Sequence, residues 1–155
     1  MTDLGAKPLL LNQFIPYRMV NLANRISDSC ATIYQHKFGI SIPEWRILAR
    51  LGESGSQNSS DLARLTLMDK SKVSRAVKAL DEKGYLLKKR DVSDNRATFL
   101  SLSEQGQSLY HQIAPDALDW EGKLLTALEV AEYGDLMRII SKLDRQLDHF
   151  DSSVE

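Results

Sequence analysis

The sequence predicts a mainly α-helical chain that carries one small two-stranded β wing. Three observations lead to this fold class. Apolar residues recur with helical period over most of the chain, a short helix and a tight turn precede a longer helix near the middle, and two strand-like runs, YLLKKR and ATFLSL, follow directly. With 155 residues, 43% of them hydrophobic, the chain has the length and apolar content of one globular domain.

The first predicted helix is long and amphipathic. It begins at Ile15, because Pro16 suits the first helical turn. No glycine or proline interrupts the chain before Gly39, so the helix should continue to about Lys37. Its apolar stripe consists of Met19, Leu22, Ile26, Cys30 and Ile33. A polar stripe with the same 3.6-residue period runs along the other side.

Cys30 is the only cysteine, which excludes an internal disulfide and a zinc site built on several thiolates. Its helical neighbours would be Ile26, Ile33 and Tyr34, and apolar surroundings keep a thiol unreactive. A buried structural cysteine is the favoured interpretation, and a redox-responsive residue is the alternative. The three histidines do not share a spacing typical of metal ligands, so we expect neither a metal nor a cofactor.

The second predicted helix begins within residues 41–43, the segment SIP. Its inner face would consist of Trp45, Leu48 and Leu51. Gly52 and Gly55 follow, and we expect them to close the helix. A third, shorter helix then begins after Asn58, which is a favourable N-cap with Asp61 three residues later.

A fourth helix follows the short connection TLM, with Asp69 as its N-cap and Gly84 just beyond its C-terminal end. Its buried face would consist of Val73, Ala76, Val77 and Leu80. A short helix, a tight turn and a longer helix make up a helix-turn-helix. The fourth helix is therefore the predicted recognition helix.

The outward face of the fourth helix combines short hydroxyls with long cations. It consists of Ser71, Lys72, Ser74, Arg75 and Lys78. Residues 69–96 contain nine basic and five acidic residues, whereas the rest of the chain contains eleven basic and sixteen acidic residues. This asymmetry indicates an anionic partner, and a solvated basic face is the alternative. For double-stranded DNA, Arg75 is the best candidate for a guanine edge, and the lysines are candidates for phosphate contacts.

The two strand-like runs predict a hairpin that turns the helix-turn-helix into a winged helix. The charged tip of the hairpin would reach an adjacent minor groove, whose negative potential attracts arginine. Arg96 is the candidate probe, and Asp94 is the acid that holds it extended. Arg90 and Asn95 complete the predicted wing contacts. The alternative is a soluble hairpin with a fortuitous ion pair, although surface pairs contribute only about 0–1 kcal/mol.

The C-terminal part of the chain is predicted to be helical. Ser103 should cap a helix that Pro115 kinks or splits, and Thr126 with Glu129 suggests a second capping box. The apolar stripe of the last helix consists of Leu136, Ile139, Ile140, Leu143, Leu147 and Phe150. We expect this stripe to form a subunit interface with the N-terminal segment LLLNQF. Packing onto the chain's own core is the alternative.

The wing and the helix before it resemble the MarR family of transcriptional regulators. The family's wing motif is Asp-x-Arg, five residues, Leu-Ser/Thr, two residues and Gly. It is matched by Asp94, Arg96, Leu102, Ser103 and Gly106. The resemblance covers the whole chain and implies a single domain of residues 1–155. A winged helix-turn-helix lobe would occupy about 40–103, and helices in 1–38 and 104–155 would form a dimerisation region.

The resemblance also implies a function, which is that of a homodimeric repressor released from DNA by a small-molecule effector. A winged-helix module without an effector is the alternative, and so is a redox-responsive regulator that acts through Cys30. The two recognition helices would enter successive major grooves of a pseudo-palindromic operator, about 10 base pairs apart. The family's peroxide-sensing members keep a reactive cysteine near the start of the first helix. Cys30 lies too far along the helix for that role to be carried over.

The effector implied by the resemblance is a small anionic compound, either an aromatic carboxylate or a thioester of one. Members of the family often bind phenolic compounds between the first helix, the second helix and the winged core. The candidate residues are Arg18, Asn21, Arg25, Ser29, Trp45 and Arg46. Arginines with amide and hydroxyl donors suit a carboxylate, and an indole suits an aromatic ring. Alternatively, the arginines are solvated or paired with acids such as Asp28 and Glu44.

Other function classes are less well supported by the sequence. We find no glycine-rich phosphate loop, no metal constellation and no nucleophile with a nearby base, so an enzyme is not expected. The basic helix face argues against a winged-helix module used only for protein contacts. No apolar run approaches the ~20 residues of a membrane span, and no signal peptide is evident. We therefore expect a cytoplasmic protein without a membrane partner.

Overall fold

A computed structural model describes residues 7–90, 93 and 98–154. A 3-10 turn (Leu11–Gln13) precedes seven α-helices and three short strands in the described chain. The helices are α1 (Ile15–Ala31), α2 (Gln35–Phe38), α3 (Ile42–Ser54), α4 (Ser59–Thr66), α5 (Lys70–Glu82), α6 (Glu104–Leu125) and α7 (Val130–Ser152). The strands are β1 (Gln57–Asn58), β2 (Leu86–Arg90) and β3 (Thr98–Leu102). This is the predicted fold class, mainly α with a small β wing.

Two compact units make up the chain, with the division between Ala117 and Leu118. The first unit contains every element up to and including the first part of α6, and with it the whole helix-turn-helix and the sheet. The second unit contains the end of α6 and the long helix α7.

The N-caps predicted for the two helices of the helix-turn-helix, Asn58 and Asp69, are confirmed. Ser41 and Glu44 form a capping box at the start of α3. The Asn58 side chain accepts a hydrogen bond from the Asp61 amide at 2.8 Å, and the Asp69 side chain accepts one from the Lys72 amide at 2.7 Å. Each cap satisfies a backbone donor that the first helical turn leaves without an intrahelical partner. The caps therefore fix where the two helices of the helix-turn-helix begin.

The sheet has the strand order β1-β3-β2 and is antiparallel throughout. The predicted hairpin is confirmed, and its register pairs Leu86 with Leu102 and Arg90 with Thr98. Strand β1 was not predicted, because two residues are too short to show an alternating pattern. It pairs Gln57 with Leu100, which covers the outer edge of β3.

The core of the first unit lies under the recognition helix. The predicted inner face of α5, Val73, Ala76, Val77 and Leu80, is buried. It packs in one apolar cluster with Leu48 and Leu51 of α3, Leu62 of α4 and Leu100 of β3. Helices α3, α4 and α5 and the sheet thus share one core, so the outward face of α5 is set by packing on its other side.

The first helix ends earlier than predicted. Helix α1 stops at Ala31 instead of near Lys37, and residues 32–34 form a turn before the short helix α2. The amides of Thr32, Ile33 and Tyr34 each bond a carbonyl three residues back, which tightens the chain beyond α-helical geometry. Tyr34 is buried at 1% exposure against the core. Burial of this ring outweighs the uninterrupted helical pattern of the sequence.

Gly52 does not close the second predicted helix, because α3 continues through it to Ser54 and ends at Gly55, which has φ +73°. A Cβ at Gly52 would lie 2.7 Å from the ring of Tyr110, so glycine is required there by a close approach of α6. The pattern of one sequence does not reveal such a distant neighbour.

Two C-terminal boundaries also differ from the prediction. Helix α6 runs through Pro115 as one helix, so the predicted split is wrong. Proline lacks one N–H donor, and the 22 residues of α6 continue as helix on both sides of it. Thr126 does not cap the last helix, because its hydroxyl donates to the carbonyl of Lys123. Helix α7 starts after Glu129, whose amide donates to the Glu132 side chain at 2.9 Å.

The link between the recognition helix and the wing, residues 83–85, is held by α6 on one side. The Ser103 hydroxyl donates to the Gly84 carbonyl at 2.6 Å and accepts from the Gly106 amide at 3.1 Å. The Ser103 amide donates to the Tyr85 carbonyl at 2.9 Å. A Cβ at Gly106 would collide with that same carbonyl oxygen. We call residues 83–85 the helix–wing junction.

We predict that Gly106→Ala destabilises the protein by about 3 kcal/mol or more, because the new methyl would collide with the backbone carbonyl of Tyr85 and lie 3.3 Å from Leu102 Cβ. Gly122→Ala in the same helix is the matched control, since nothing lies within 4 Å of a Cβ there. The control should stabilise the protein by about 0.5–1 kcal/mol. Urea unfolding of both variants checks this, and equal effects would contradict the role of Gly106.

Candidate nucleic-acid interface

The outward face of α5 is the most strongly basic described surface of the helix-turn-helix. All five predicted contact residues on this helix are exposed: Ser71, Lys72, Ser74, Arg75 and Lys78. No ion pair joins Lys72, Arg75 or Lys78 to another residue of the described chain. Three cations that have no acidic partner among the described residues create a local positive potential that is available to an anionic partner.

A shallow cleft of about 230 Å³ separates the recognition helix from the start of α3. Its lining includes Lys72 and Arg75 on one side and Ser41 and Pro43 on the other. Glu44 also lines the cleft, and its carboxylate is paired with Lys83. Lys72 and Arg75 therefore supply the positive charge on this side.

The helix–wing junction is anchored by α3 as well as by α6. Lys83 Nζ lies 2.9 Å from Glu44 Oε2 and donates to the Gly39 carbonyl at 2.8 Å. Glu44 is 7% exposed and accepts a second hydrogen bond from the Ser41 amide. The C-terminal end of α5 is therefore tied to the segment that precedes α3. Sequence reasoning missed this pair, because 39 residues separate the partners.

The wing contributes further cations next to the recognition helix. Lys88 pairs with Asp81 of α5 at 3.2 Å, and both side chains are half-exposed. Lys89 and Arg90 are exposed on β2. Asp94, Asn95 and Arg96, the predicted tip residues, lie outside the described residues, and so does the predicted Asp94–Arg96 pair. The register of the described strands pairs Arg90 with Thr98.

The predicted effector residues are divided between two depressions. Arg18, Asn21 and Arg25 line one of about 650 Å³ on α1 and the 3-10 turn, where Arg18 Nη1 also donates to the Asn12 carbonyl at 3.1 Å. Trp45 and Arg46 line a second one of about 280 Å³ on α3, together with Leu65 and Thr66 of α4. Ser29 lines neither of these two. The structure thus brings three of the six residues together and places two others elsewhere.

Trp45 is the centre of an aromatic stack. Its ring lies 5.3 Å from the ring of Tyr34 and 6.5 Å from that of Tyr110, nearly parallel to both. Burial raises the pKa of Tyr34 to about 12, Cys30 adds to the increase, Arg46 opposes it, and Asp28 adds a smaller contribution. Tyr34 is therefore a neutral phenol at physiological pH.

No group of three or more histidine, cysteine, aspartate or glutamate side chains among the described residues is arranged to hold a metal ion. None of the helices in this part of the chain is long and apolar enough to cross a membrane.

Comparisons with known proteins agree with this geometry. The family model described as the MarR family matches residues 40–98. The chain is 30% identical over 81 residues to the HTH-type transcriptional regulator MhqR of Bacillus subtilis, which covers 52% of this chain and 56% of that protein. It is 29% identical over 69 residues to the homoprotocatechuate degradative operon repressor of Escherichia coli, covering 44% of this chain and 47% of the repressor. The chain thus spans about half the length of these two relatives.

A solved structure matches over nearly the full length. The crystal structure of a MarR/EmrR family transcriptional regulator from Acinetobacter sp. ADP1 is similar with a TM-score of 0.83 and 31% sequence identity. The match covers 91% of this chain and 99% of that chain. A winged helix-turn-helix with a basic recognition helix, together with this similarity, shows that the chain belongs to the MarR family of transcriptional regulators.

Proposed function

We propose that this chain is a sequence-specific DNA-binding repressor that acts as a homodimer and leaves a pseudo-palindromic operator when it binds a small anionic aromatic effector. The observation that carries the proposal is the outward face of α5, where Lys72, Arg75 and Lys78 are exposed and form no ion pairs with other described residues. A face of this kind suits a groove lined with phosphates.

The exposed residues of α5 can be assigned to base contacts or to phosphate contacts from the lengths and positions of their side chains. In helix-turn-helix proteins the first turns of the recognition helix contact base edges. Ser71, Ser74 and Arg75 are exposed there, and Arg75 has the planar donors that bind a guanine edge. Lys72 and Lys78 are point charges and suit phosphate oxygens. From the wing, Arg90, Asn95 and Arg96 would contact the neighbouring backbone and minor groove.

The dimer proposal rests on apolar surface that the single chain leaves exposed. Every residue of the apolar stripe of α7 is more than a third exposed, from Ile140 at 37% to Phe150 at 57%. Leu9, Leu10 and Leu11 near the N-terminus are also more than half exposed. The stripe of α7 alone is a contiguous apolar surface along one helix, and such a surface marks an interaction site. A second copy of the chain would cover it and place two recognition helices about 10 base pairs apart.

The effector proposal rests on the depression along α1. Arg18 and Arg25 there supply two cations and Asn21 an amide, and Ile15, Met19 and Leu22 supply apolar surface. This mixture suits an aromatic carboxylate, whose ring and charge need both kinds of contact. One relative is a repressor of a homoprotocatechuate degradative operon, and homoprotocatechuate is an aromatic carboxylic acid. Release requires that the effector bind the DNA-incompetent form better than the DNA-bound form.

We predict that Arg75→Ala lowers the affinity for operator DNA about tenfold or more, because a bidentate contact to a base contributes about 1–3 kcal/mol of discrimination. Arg145→Ala, which removes an exposed arginine of α7, is the matched control and should bind like the parent. Fluorescence anisotropy with the duplex that the parent protein selects from a random pool measures both. Parental affinity in a folded Arg75→Ala variant would contradict the assignment of Arg75.

We predict that Leu143→Glu converts the dimer into monomers, because a charge cannot be buried without a partner in an apolar interface. Lys142→Ala, one residue away and outside the stripe, should leave the dimer intact. Light scattering at micromolar concentration gives the mass directly. The dimer proposal fails if the parent protein scatters as a stable monomer.

We predict that aromatic carboxylates bind with micromolar or higher affinity and that Arg18→Ala weakens them about tenfold, since a hydrogen bond to a charged group contributes about 1.5–3 kcal/mol. Arg46→Ala tests the second depression, and Arg64→Ala, an exposed arginine of α4 paired with Asp61, is the control. Calorimetric titration with 4-hydroxyphenylacetate and salicylate provides the affinities. Undiminished binding in both the Arg18 and the Arg46 variants would exclude these two depressions.

A further inference from the structure

Leu67 combines two unfavourable features in one residue. It has φ +54°, which makes it the one non-glycine residue with positive φ in the described chain. Its side chain is also 93% exposed to solvent. The left-handed conformation is strained for a leucine, and glycine or asparagine would adopt it more easily. Neither burial nor backbone preference within the chain accounts for a leucine at this position.

Met68, the neighbour of Leu67, makes the apolar contact that often accompanies the end of a helix. Helix α4 ends with Leu67 in the left-handed conformation, and the Met68 amide bonds the Ala63 carbonyl at 3.3 Å. Met68 is 7% exposed and belongs to the core cluster. Met68 therefore supplies the apolar contact at the end of α4. The Leu67 side chain does not pack in the core.

Leu67 lies just before the N-terminal end of the recognition helix. It precedes Asp69, the N-cap of α5, by two residues, and Lys70, Ser71 and Lys72 follow as exposed residues. In helix-turn-helix complexes the N-terminal residues of the recognition helix contact base edges. Leu67 is thus an exposed apolar residue two positions before the helix that is proposed to contact the bases.

The surroundings of Leu67 favour DNA over a protein partner. The exposed residues next to it in the chain are charged or polar, with Arg64 before it and Asp69 and Lys70 after it. A protein interface would need a contiguous apolar patch, which these neighbours do not provide. In the major groove, by contrast, the C5-methyl of thymine is an isolated apolar group among polar edges, and apolar side chains contact it.

We propose that Leu67 reads a thymine in the operator by contacting its C5-methyl group. The proposal rests on the proposed DNA-binding function and adds a specificity-determining residue to it. The left-handed backbone of Leu67 directs its side chain away from the core. The unfavourable exposure of this side chain to water in the free protein would be relieved when the thymine methyl group covers it. The preference for thymine over other bases comes from the burial of one apolar contact. This preference should therefore be modest and confined to one position in each half-site.

Uracil substitution tests the contact, because deoxyuridine lacks only the methyl group of thymidine. The probe is the duplex that the parent protein selects from a random pool, with each thymine replaced by uracil in turn. The parent protein should lose about fourfold in affinity at one symmetric pair of positions, as expected for one buried methyl-sized group. Leu67→Gly and Leu67→Asn suit the backbone conformation and should be insensitive to that replacement. Leu67→Met should retain part of the sensitivity.

The outcomes separate this proposal from the DNA-binding proposal. If the parent protein selects no duplex at all, the function itself is wrong, and the role of Leu67 falls with it. If the parent selects a duplex but no uracil replacement weakens it, the thymine contact is wrong and the DNA-binding proposal stands. Equal sensitivity in the parent and in Leu67→Gly would also overturn the contact. So would a uniform loss of affinity in Leu67→Gly on every duplex, which would indicate a contact to the sugar-phosphate backbone.

Discussion

The double anchoring of the helix–wing junction is the constraint on which the proposed interface depends. On one side, Lys83 joins the buried carboxylate of Glu44 and the carbonyl of Gly39. On the other side, Ser103 and the close approach of Gly106 hold the carbonyls of Gly84 and Tyr85. The end of the recognition helix and the start of the wing are thereby fixed against α3 and α6. The basic side chains of α5 and β2 consequently keep a defined spacing before any partner is bound, which lowers the entropic cost of binding.

The anchoring also separates two roles within the wing motif. Leu102, Ser103 and Gly106 occupy its second half, and all three act within the fold: Leu102 is buried, Ser103 bonds the junction, and Gly106 allows the backbones to meet. Asp94 and Arg96 occupy the first half, and contact with DNA is proposed for Arg96. A single motif therefore combines a structural part that positions the wing with a part that would contact the minor groove.

Local signals in the sequence predicted most of the fold. Three features depend on residues that are close together in the sequence: the caps Asn58 and Asp69, the inner face of α5, and the hairpin. Over such short distances, hydrophobic period and capping preference decide the structure. Long-range contacts decided what was missed. The early end of α1 follows from the packing of Tyr34 against Trp45. The ring of Tyr110 explains why residue 52 is a glycine. The ion pair of Lys83 with Glu44 holds the end of α5 in position.

The site was predictable to different degrees for the same reason. The exposed residues of α5 follow from one helix's period, and the structure presents all five on the surface. The effector residues were drawn from two helices whose packing one sequence does not reveal, and they line two depressions instead of one. Leu67 carried a detectable signal, since a leucine follows the helix where glycine is common. Its significance depends on the exposure and the φ angle that only the structure gives.

The outward face of α5, held in place by the helix–wing junction, is proposed to bind DNA mainly through its cations. The most direct measurement is the dependence of duplex affinity on salt concentration. Each phosphate contact contributes about −0.9 to the slope of log affinity against log salt. Four or more phosphate contacts per dimer, from residues such as Lys72 and Lys78 in each subunit, predict a slope of about −3.6 or steeper. A slope near zero, or no binding to any duplex at low salt, would contradict the account.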